Sequence, residues 1–389
     1  MPEHSAASPA RLVAVDALRG LIMMAMALDH ARAFVAREHP FEYWGAALPQ
    51  YNDALPFVTR LVTHLCAPGF FFLMGVGMTL FATARRRAGW SAGRIARYFV
   101  TRGILLLVVE QLIENPAWIL GMMGAARDAA AADSLTPSDG GGPMLVFGVL
   151  FALGASMVLW SALVHTPSVV LLVLSTTAII VTQLFTPPQS QDAVAFAPLL
   201  RLLLIPGHTG IWFVLYPIIP WLGLTGLGIV FGRSLTTAET RGGQHALGWG
   251  IVLLALFAVV RVHGAFGNIH VPVPSGWIGF LNVTKYPPSL AFILLTLGVN
   301  LLLLSAFSAV SPWLPVWGAP LLTFGRTALF FYIVHLYLYA LIGFGFPHGA
   351  ALRVVYPVWA IGLLTMYPLC ASYGRFKFRK PADSLWRFF

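Results

Sequence analysis

The feature that most constrains this chain is a succession of apolar runs, most about 20 residues long, separated by short loops that hold much of the charge. A bilayer core about 30 Å thick needs about 20 helical residues to cross it. Within lipid, only helices and closed barrels satisfy every backbone N–H and C=O. About ten such runs are predicted to span, over 13–35, 57–84, 98–115, 144–164, 168–185, 211–232, 245–262, 289–310, 321–343 and 353–373. The composition agrees. Hydrophobic residues make up 58% and charged residues only 10%, against about 25% charged in soluble domains. This excludes a disordered chain and an ordinary soluble enzyme. Two cysteines, Cys66 and Cys370, both in apolar runs, exclude a disulfide scaffold. The fold class expected is an all-α polytopic membrane bundle.

The net charge of +10 reads as topology and not as nucleic-acid binding, because the cations gather in alternate loops. Arg85, Arg86, Arg87, Arg94 and Arg97 lie between the second and third runs, with Arg102 just inside the third. Arg233 and Arg241 lie between the sixth and seventh, and Arg375, Lys377, Arg379, Lys380 and Arg387 after the tenth. With Arg11, they fall on one side of a ten-span chain, assigned as cytoplasmic by the positive-inside rule. The chain then divides into a short cytoplasmic start (1–12), one membrane domain (13–373) and a basic cytoplasmic tail (374–389). The first run is no cleavable signal peptide, since Asp16, Arg19, Asp29 and His30 interrupt it. Segments 128–143 and 186–197 read as outer loops, and 198–206 allows a re-entrant piece. No internal repeat is visible.

Ionisable groups inside such runs cost about 2.5–3.5 kcal/mol on insertion scales and so face a bundle interior or a wet cavity. At about 100° per residue, Asp16, Arg19 and His30 share one face of the first helix, while Asp29 and Arg32 point elsewhere. Arg60 and His64 are four apart at the outer end of the second run, followed by Pro68 and Gly69, which loosen a helix. Glu110 and Glu114 are four apart at the outer end of the third. Two imidazoles with nearby carboxylates suit general-base chemistry, in which a neutral histidine is oriented by an acid. His30 and His64 are the candidate bases, with Asp29, Glu110 or Glu114 fixing the tautomer and Arg32 or Arg60 facing a developing oxyanion. Tyr332, His335 and Tyr339 share a face of the ninth run, which suits either the lining of an outer vestibule or a buried His335 bonded to a neighbouring helix. Gly75 and Gly77 suggest close helix packing. No HExxH, paired CxxC, Walker A, GxGxxG or GxSxG pattern occurs, so no metal is expected.

Three strings carry a resemblance: Val15-Asp16-Ala17-Leu18-Arg19-Gly20-Leu21-Ile22-Met23-Met24 with Asp29-His30; Thr59 to Pro68 running into Phe70-Phe71-Phe72-Leu73-Met74-Gly75; and Phe324-Gly325-Arg326 with Phe331 to His335. In these the chain resembles the heparan-α-glucosaminide N-acetyltransferase catalytic-domain proteins, in their bacterial branch. The resemblance implies an integral-membrane acyltransferase of a bacterial inner (plasma) membrane. Acetyl-CoA or another acyl-CoA is the implied cosubstrate, with a histidine central to the transfer. In the animal enzyme an asparagine stands where Asp29 does here, and its proposed catalytic histidine falls near His39, so His39 joins His30 and His64 as a candidate.

On this reading cytosolic acyl-CoA meets the basic side, with Arg19, Arg102 and Arg326 as its candidate ligands, and its arm threads towards the outer histidines. The acceptor is an extracytoplasmic amine or hydroxyl, with a cell-envelope sugar the first choice. Direct transfer and an acyl-histidine route are both open. Glu114, Arg32, Arg60, His335 and Tyr332 are the candidate acceptor contacts. The partners expected are the bilayer, acyl-CoA and the acceptor; a homodimer is compatible with the sequence. The rival class is a proton-coupled secondary transporter of a small solute, which predicts internal repeats and paired broken helices at the membrane midplane.

Overall fold

The computed structural model describes residues 9–125, 145–187, 196–237, 242–273, 276–381 and 384–387. The expected outer loop 128–143, most of 186–197, Arg241 and the first eight residues lie outside them. The described chain is almost wholly helical. Helix α1 (Pro9–Ala31), prolonged by a π-helical turn (Arg32–Ala36), is followed by α2 (Ala54–His64) and α3 (Cys66–Arg87). Next come α4 (Ala92–Val109), a π-helical turn (Glu110–Glu114), α5 (Asn115–Met123), strand β1 (Leu145–Phe147), α6 (Val149–Leu163) and α7 (Ser168–Phe185). The remainder is α8 (Pro198–Leu203), β2 (Gly207–Thr209), β3 (Trp212–Val214), α9 (Ile218–Thr237), α10 (Gly242–His263), α11 (Gly276–Leu281), α12 (Leu290–Ala309), α13 (Leu314–Trp317), α14 (Ala319–Arg326), α15 (Ala328–Gly343) and α16 (Leu352–Phe378).

Among the described residues, seven helices are long and apolar enough to cross a membrane, or eight if α14 and α15 count as one bent span. The other two expected spans are α1, long enough but carrying Asp16, Arg19 and Asp29, and α6, with only 15 residues. The run 321–343 is not one straight helix. It bends by 96° at Thr327, just past the cluster at Arg326. The runs 144–164 and 211–232 begin as strands: β3 pairs with both β1 and β2, and Gly207 and Gly210 take positive φ in the hairpin. The third run continues through Pro116. The π turn before it shifts the hydrogen-bond register, so proline falls in a first turn, where its missing N–H is harmless. Pro68 likewise sits in the first turn of α3, and the Leu65 carbonyl accepts from both Gly69 N and Asn300 Nδ2, each at 3.1 Å.

Helix α1 is the hub, touching α2, α3, α12, α14, α15 and α16. Its approach to α14 depends on two glycines: a Cβ on Gly20 would lie 1.9 Å from the Leu321 oxygen, and one on Gly325 1.9 Å from the Asp16 oxygen. Gly75 meets α9 in the same way, at 2.0 Å from the Thr225 oxygen. Gly77, expected to pack likewise, has open space where its Cβ would be and lines a cavity. Gly20→Val is therefore expected to lower stability by about 1–3 kcal/mol. Gly77→Ala should stay within about 0.5 kcal/mol of the parent; thermal unfolding in detergent checks both.

Candidate active site

The loop 37–53 is held down by one guanidinium. Arg60, on α2 and only 1% exposed, donates from Nε to Glu42 Oε1 at 2.9 Å and from Nη1 to Asp29 Oδ1 at 2.8 Å. Its Nη2 donates to Glu42 Oε2 and the Pro40 oxygen, both at 2.7 Å. Four of its five N–H donors are thus committed. His64, one turn along, sits 3.2 Å from Glu42 Oε2. Burial alone would raise the Glu42 carboxyl, but Arg60 and His64 hold it well below the ordinary carboxylate range. The loop also pairs with segment 282–286: Lys285 N and Tyr286 N donate to the Glu42 oxygen at 3.0 Å, and Trp44 N donates to the Tyr286 oxygen at 2.9 Å.

This clamp brings His39 to α1. His39 Nε2 lies 3.8 Å from Asp29 Oδ2, and its Nδ1 is buried without a hydrogen-bond partner. Burial lowers the His39 imidazole to about 4, with Asp29 pulling it upward and Arg60 downward. His39 is therefore neutral at pH 7, with a carboxylate on one side and an uncommitted nitrogen on the other.

A second polar cluster lies across Trp118, whose ring is 5.8 Å from His39 and 5.2 Å from His30. His335 Nδ1 lies 2.7 Å from the Phe331 carbonyl, and His335 Nε2 lies 2.8 Å from His30 Nδ1. A carbonyl can only accept, so a neutral His335 donates from Nδ1 and accepts at Nε2. His30 must then donate from Nδ1, which leaves the lone pair on its Nε2. Tyr332 stands edge-on to His30 at 6.3 Å and donates to Glu114 Oε1. Of Tyr332, His335 and Tyr339, the face that suits a vestibule, Tyr332 lines a cavity. All three are buried, and Tyr339 Oη donates to the Trp359 oxygen at 2.9 Å.

Among the described residues, Glu110 and Glu114 hydrogen-bond to no histidine. The side chain of Glu110 accepts the amides of Gly148 and Phe151, capping the first turn of α6, where helix N–H groups lack partners. Arg32 is also committed: its Nη2 pairs with Glu38 Oε2 at 2.9 Å. Among the described residues, no group of three or more His, Cys, Asp and Glu side chains is placed to hold a metal ion.

A cavity of about 350 Å³ completes the site. Its walls include Met23, Phe70, Leu73, Met74, Leu153 and Met157, and Tyr332 lines it beside the histidine pair. Arg19, Arg102 and Arg326, distant in sequence, line it together with Lys377 and Arg387. Asp16 is the acid among them, 3.2 Å from Arg19 Nη1 and 3.1 Å from Arg326 Nε. The neighbouring cations of the 85–102 segment are partly absorbed by aromatic rings: Arg85 lies over Phe81 and Trp90, and Arg94 lies 4.0 Å over Trp90. Sequence reasoning missed Glu42, Trp118 and Lys285. Two of these lie in loops without periodicity, and Trp118 reads as an interfacial anchor.

Residues 11–247 match the family described as heparan-alpha-glucosaminide N-acetyltransferase, catalytic. No curated protein matches the sequence. The matched segment contains Asp29, His30, His39, Arg60 and His64, and ends before α12, α14, α15 and α16.

The clamp itself is testable. Arg60→Met strands the buried Glu42 charge and is expected to cost about 3–5 kcal/mol. Adding Glu42→Gln should recover about 0.5–3 kcal/mol of that loss, read as a partial return of the thermal midpoint.

Proposed function

Because the chain belongs to the heparan-α-glucosaminide N-acetyltransferase catalytic-domain family, a family of membrane acetyltransferases, we propose that it moves an acetyl group from cytosolic acetyl-CoA to an extracytoplasmic amine or hydroxyl. A cell-envelope sugar is the favoured acceptor. The observation that carries this reading is the cavity: five cations gathered on walls that are otherwise apolar and that run to Tyr332 beside two histidines. Phosphates suit the cations, where charge-assisted hydrogen bonds are strong. The pantetheine arm suits the methionine and leucine walls.

The base proposed is His39. It stands in the loop 37–53 with its side chain 9% exposed, Asp29 faces one ring nitrogen, and the other is buried and uncommitted. The 3.8 Å separation is longer than a hydrogen bond, as is common before substrate tightens a site. His30, held through Nδ1 by His335, is proposed to present its Nε2 to the thioester end of the arm and to position it. His64, with Nε2 3.2 Å from Glu42 Oε2, is assigned to the clamp. The acceptor amine or hydroxyl attacks the thioester carbonyl, its proton passes to His39, and the CoA thiolate leaves and takes up a proton.

Detergent-purified protein should bind acetyl-CoA and release free thiol when supplied with an amino-sugar acceptor. His39→Ala should lower turnover by about 10²–10⁴-fold with acetyl-CoA binding kept. Turnover lost in His30→Ala but intact in His39→Ala would move the base to His30. Absence of acetyl-CoA binding in the parent would overturn the acyltransferase reading.

The pH profile follows from the same assignment. A neutral base at about 4 keeps kcat/KM flat from pH 8 to pH 6 and loses it as pH falls through about 4. Asp29→Asn removes the charge that favours the imidazolium, so the acid limb should move to lower pH; a limb near pH 6.5 in the parent would contradict the assignment. The cation cluster predicts a third effect: Arg326→Glu weakens acetyl-CoA binding, and added salt weakens binding to the parent.

A further inference from the structure

Acyl transfer places a negative charge on the thioester oxygen, and the site as described supplies little to meet it. Arg60 has spent four of its five donors on Glu42, Asp29 and the Pro40 oxygen, and Arg32 is paired with Glu38. A further cation beside this loop is Lys285, outside the segment that matches the family. Its backbone is fixed: its own N–H and that of Tyr286 both donate to the Glu42 oxygen, and Tyr43 and Tyr286 form a parallel bridge. Its side chain is 4% exposed and makes no hydrogen bond or ion pair among the described residues, its ammonium lying 5.0 Å from the Tyr286 ring centroid. Its charge acts on Asp29, His30, His39 and His64, and its segment lies against the loop that carries His39 and Glu42.

An ammonium so placed has three N–H donors, and the face of the Tyr286 ring offsets part of its desolvation cost. Formal charge shows one use for it: Asp29 and Glu42 face Arg60, which leaves one negative charge for Lys285 to balance. Balance at a distance does not require the donors to stay unbonded, whereas a transient anion does.

We propose that Lys285 is a further catalytic residue, whose ammonium hydrogen-bonds the thioester oxygen as it becomes an oxyanion. The assignment rests on the acyltransferase reading above. As the acceptor nitrogen or oxygen bonds to the carbonyl carbon, the carbonyl π pair moves onto oxygen and Lys285 donates to it. Collapse of the intermediate returns that pair, breaks the C–S bond and releases CoA thiolate, which takes the proton held by His39. The products are the acylated acceptor and CoA thiol, and Lys285 keeps its proton throughout.

The test compares Lys285→Met and Lys285→Arg with the parent for acetyl-CoA binding, kcat and thermal midpoint. Loss of one preorganised donor costs about 10²–10³ in kcat in comparable sites. Lys285→Met is therefore expected to lose at least about 100-fold in kcat, with its acetyl-CoA Kd within about twofold of the parent. Lys285→Arg keeps the charge balance with a displaced donor, so it should fold and lose turnover by at least about threefold at unchanged Kd. If the methionine variant does not fold, the arginine variant decides by that same criterion. Parent-like turnover in a folded variant, or a kcat loss matched by an equal loss of acetyl-CoA affinity, overturns the role of Lys285 and leaves the acyltransferase reading standing. A parent protein that neither binds acetyl-CoA nor releases thiol overturns both.

Discussion

The structure depends on one buried guanidinium. Arg60 is the point at which the loop 37–53, the end of α1 and the start of the second span are joined, through Glu42, Asp29 and the Pro40 carbonyl. A buried charge is costly unless paired and hydrogen-bonded, and here nearly every donor is matched. This fixes the loop that carries His39 and brings segment 282–286, with Lys285, against it. The rest of the loop is held by Arg37, which donates to the Gly121 and Gly343 oxygens, and by Trp44, which donates to the Pro206 oxygen.

The bundle separates its charges by chemistry. Around the cavity, cations outnumber the single carboxylate of Asp16 and offer donors to an anionic ligand. Around Asp29 and Glu42 the charges are balanced and buried, which suits proton transfer more than ligand capture. The helices between them are joined by backbone contact: Gly20 against Leu321 and Gly325 against Asp16 bring α1 onto α14. Those glycines set where Arg19 and Arg326 meet. The close packing and the cation cluster are thus one feature, and the bend at Thr327 then directs α15 so that Tyr332 and His335 reach His30.

Much of this was legible in the residues. Apolar run length marked the helical segments, and helical spacing placed Arg60 with His64 and Tyr332 with His335. The resemblance carried by the opening Asp16-to-Gly20 string was matched by the family over 11–247. What spacing could not reveal is the third dimension. Glu110 and Glu114 share a helix face, yet a π turn and the start of α6 claim Glu110, while Tyr332 claims Glu114. Glu42 and Lys285 are ordinary loop residues until the chain closes on itself, with a separation of some hundreds of residues between them. The bend at Thr327 and the small sheet at 145–147, 207–209 and 212–214 were also hidden, because short apolar stretches read alike as strand or helix.

The most direct test of the account is an experimental map of the protein in a lipid nanodisc with a non-transferring acetyl-CoA analogue. The account predicts the nucleotide phosphates among Arg19, Arg102 and Arg326, the pantetheine arm along Met23, Met74 and Leu153, and the acyl end beyond Tyr332 towards His30 and His39. Density for the analogue outside that cavity, or in it with the acyl end turned back to the cations, would contradict it.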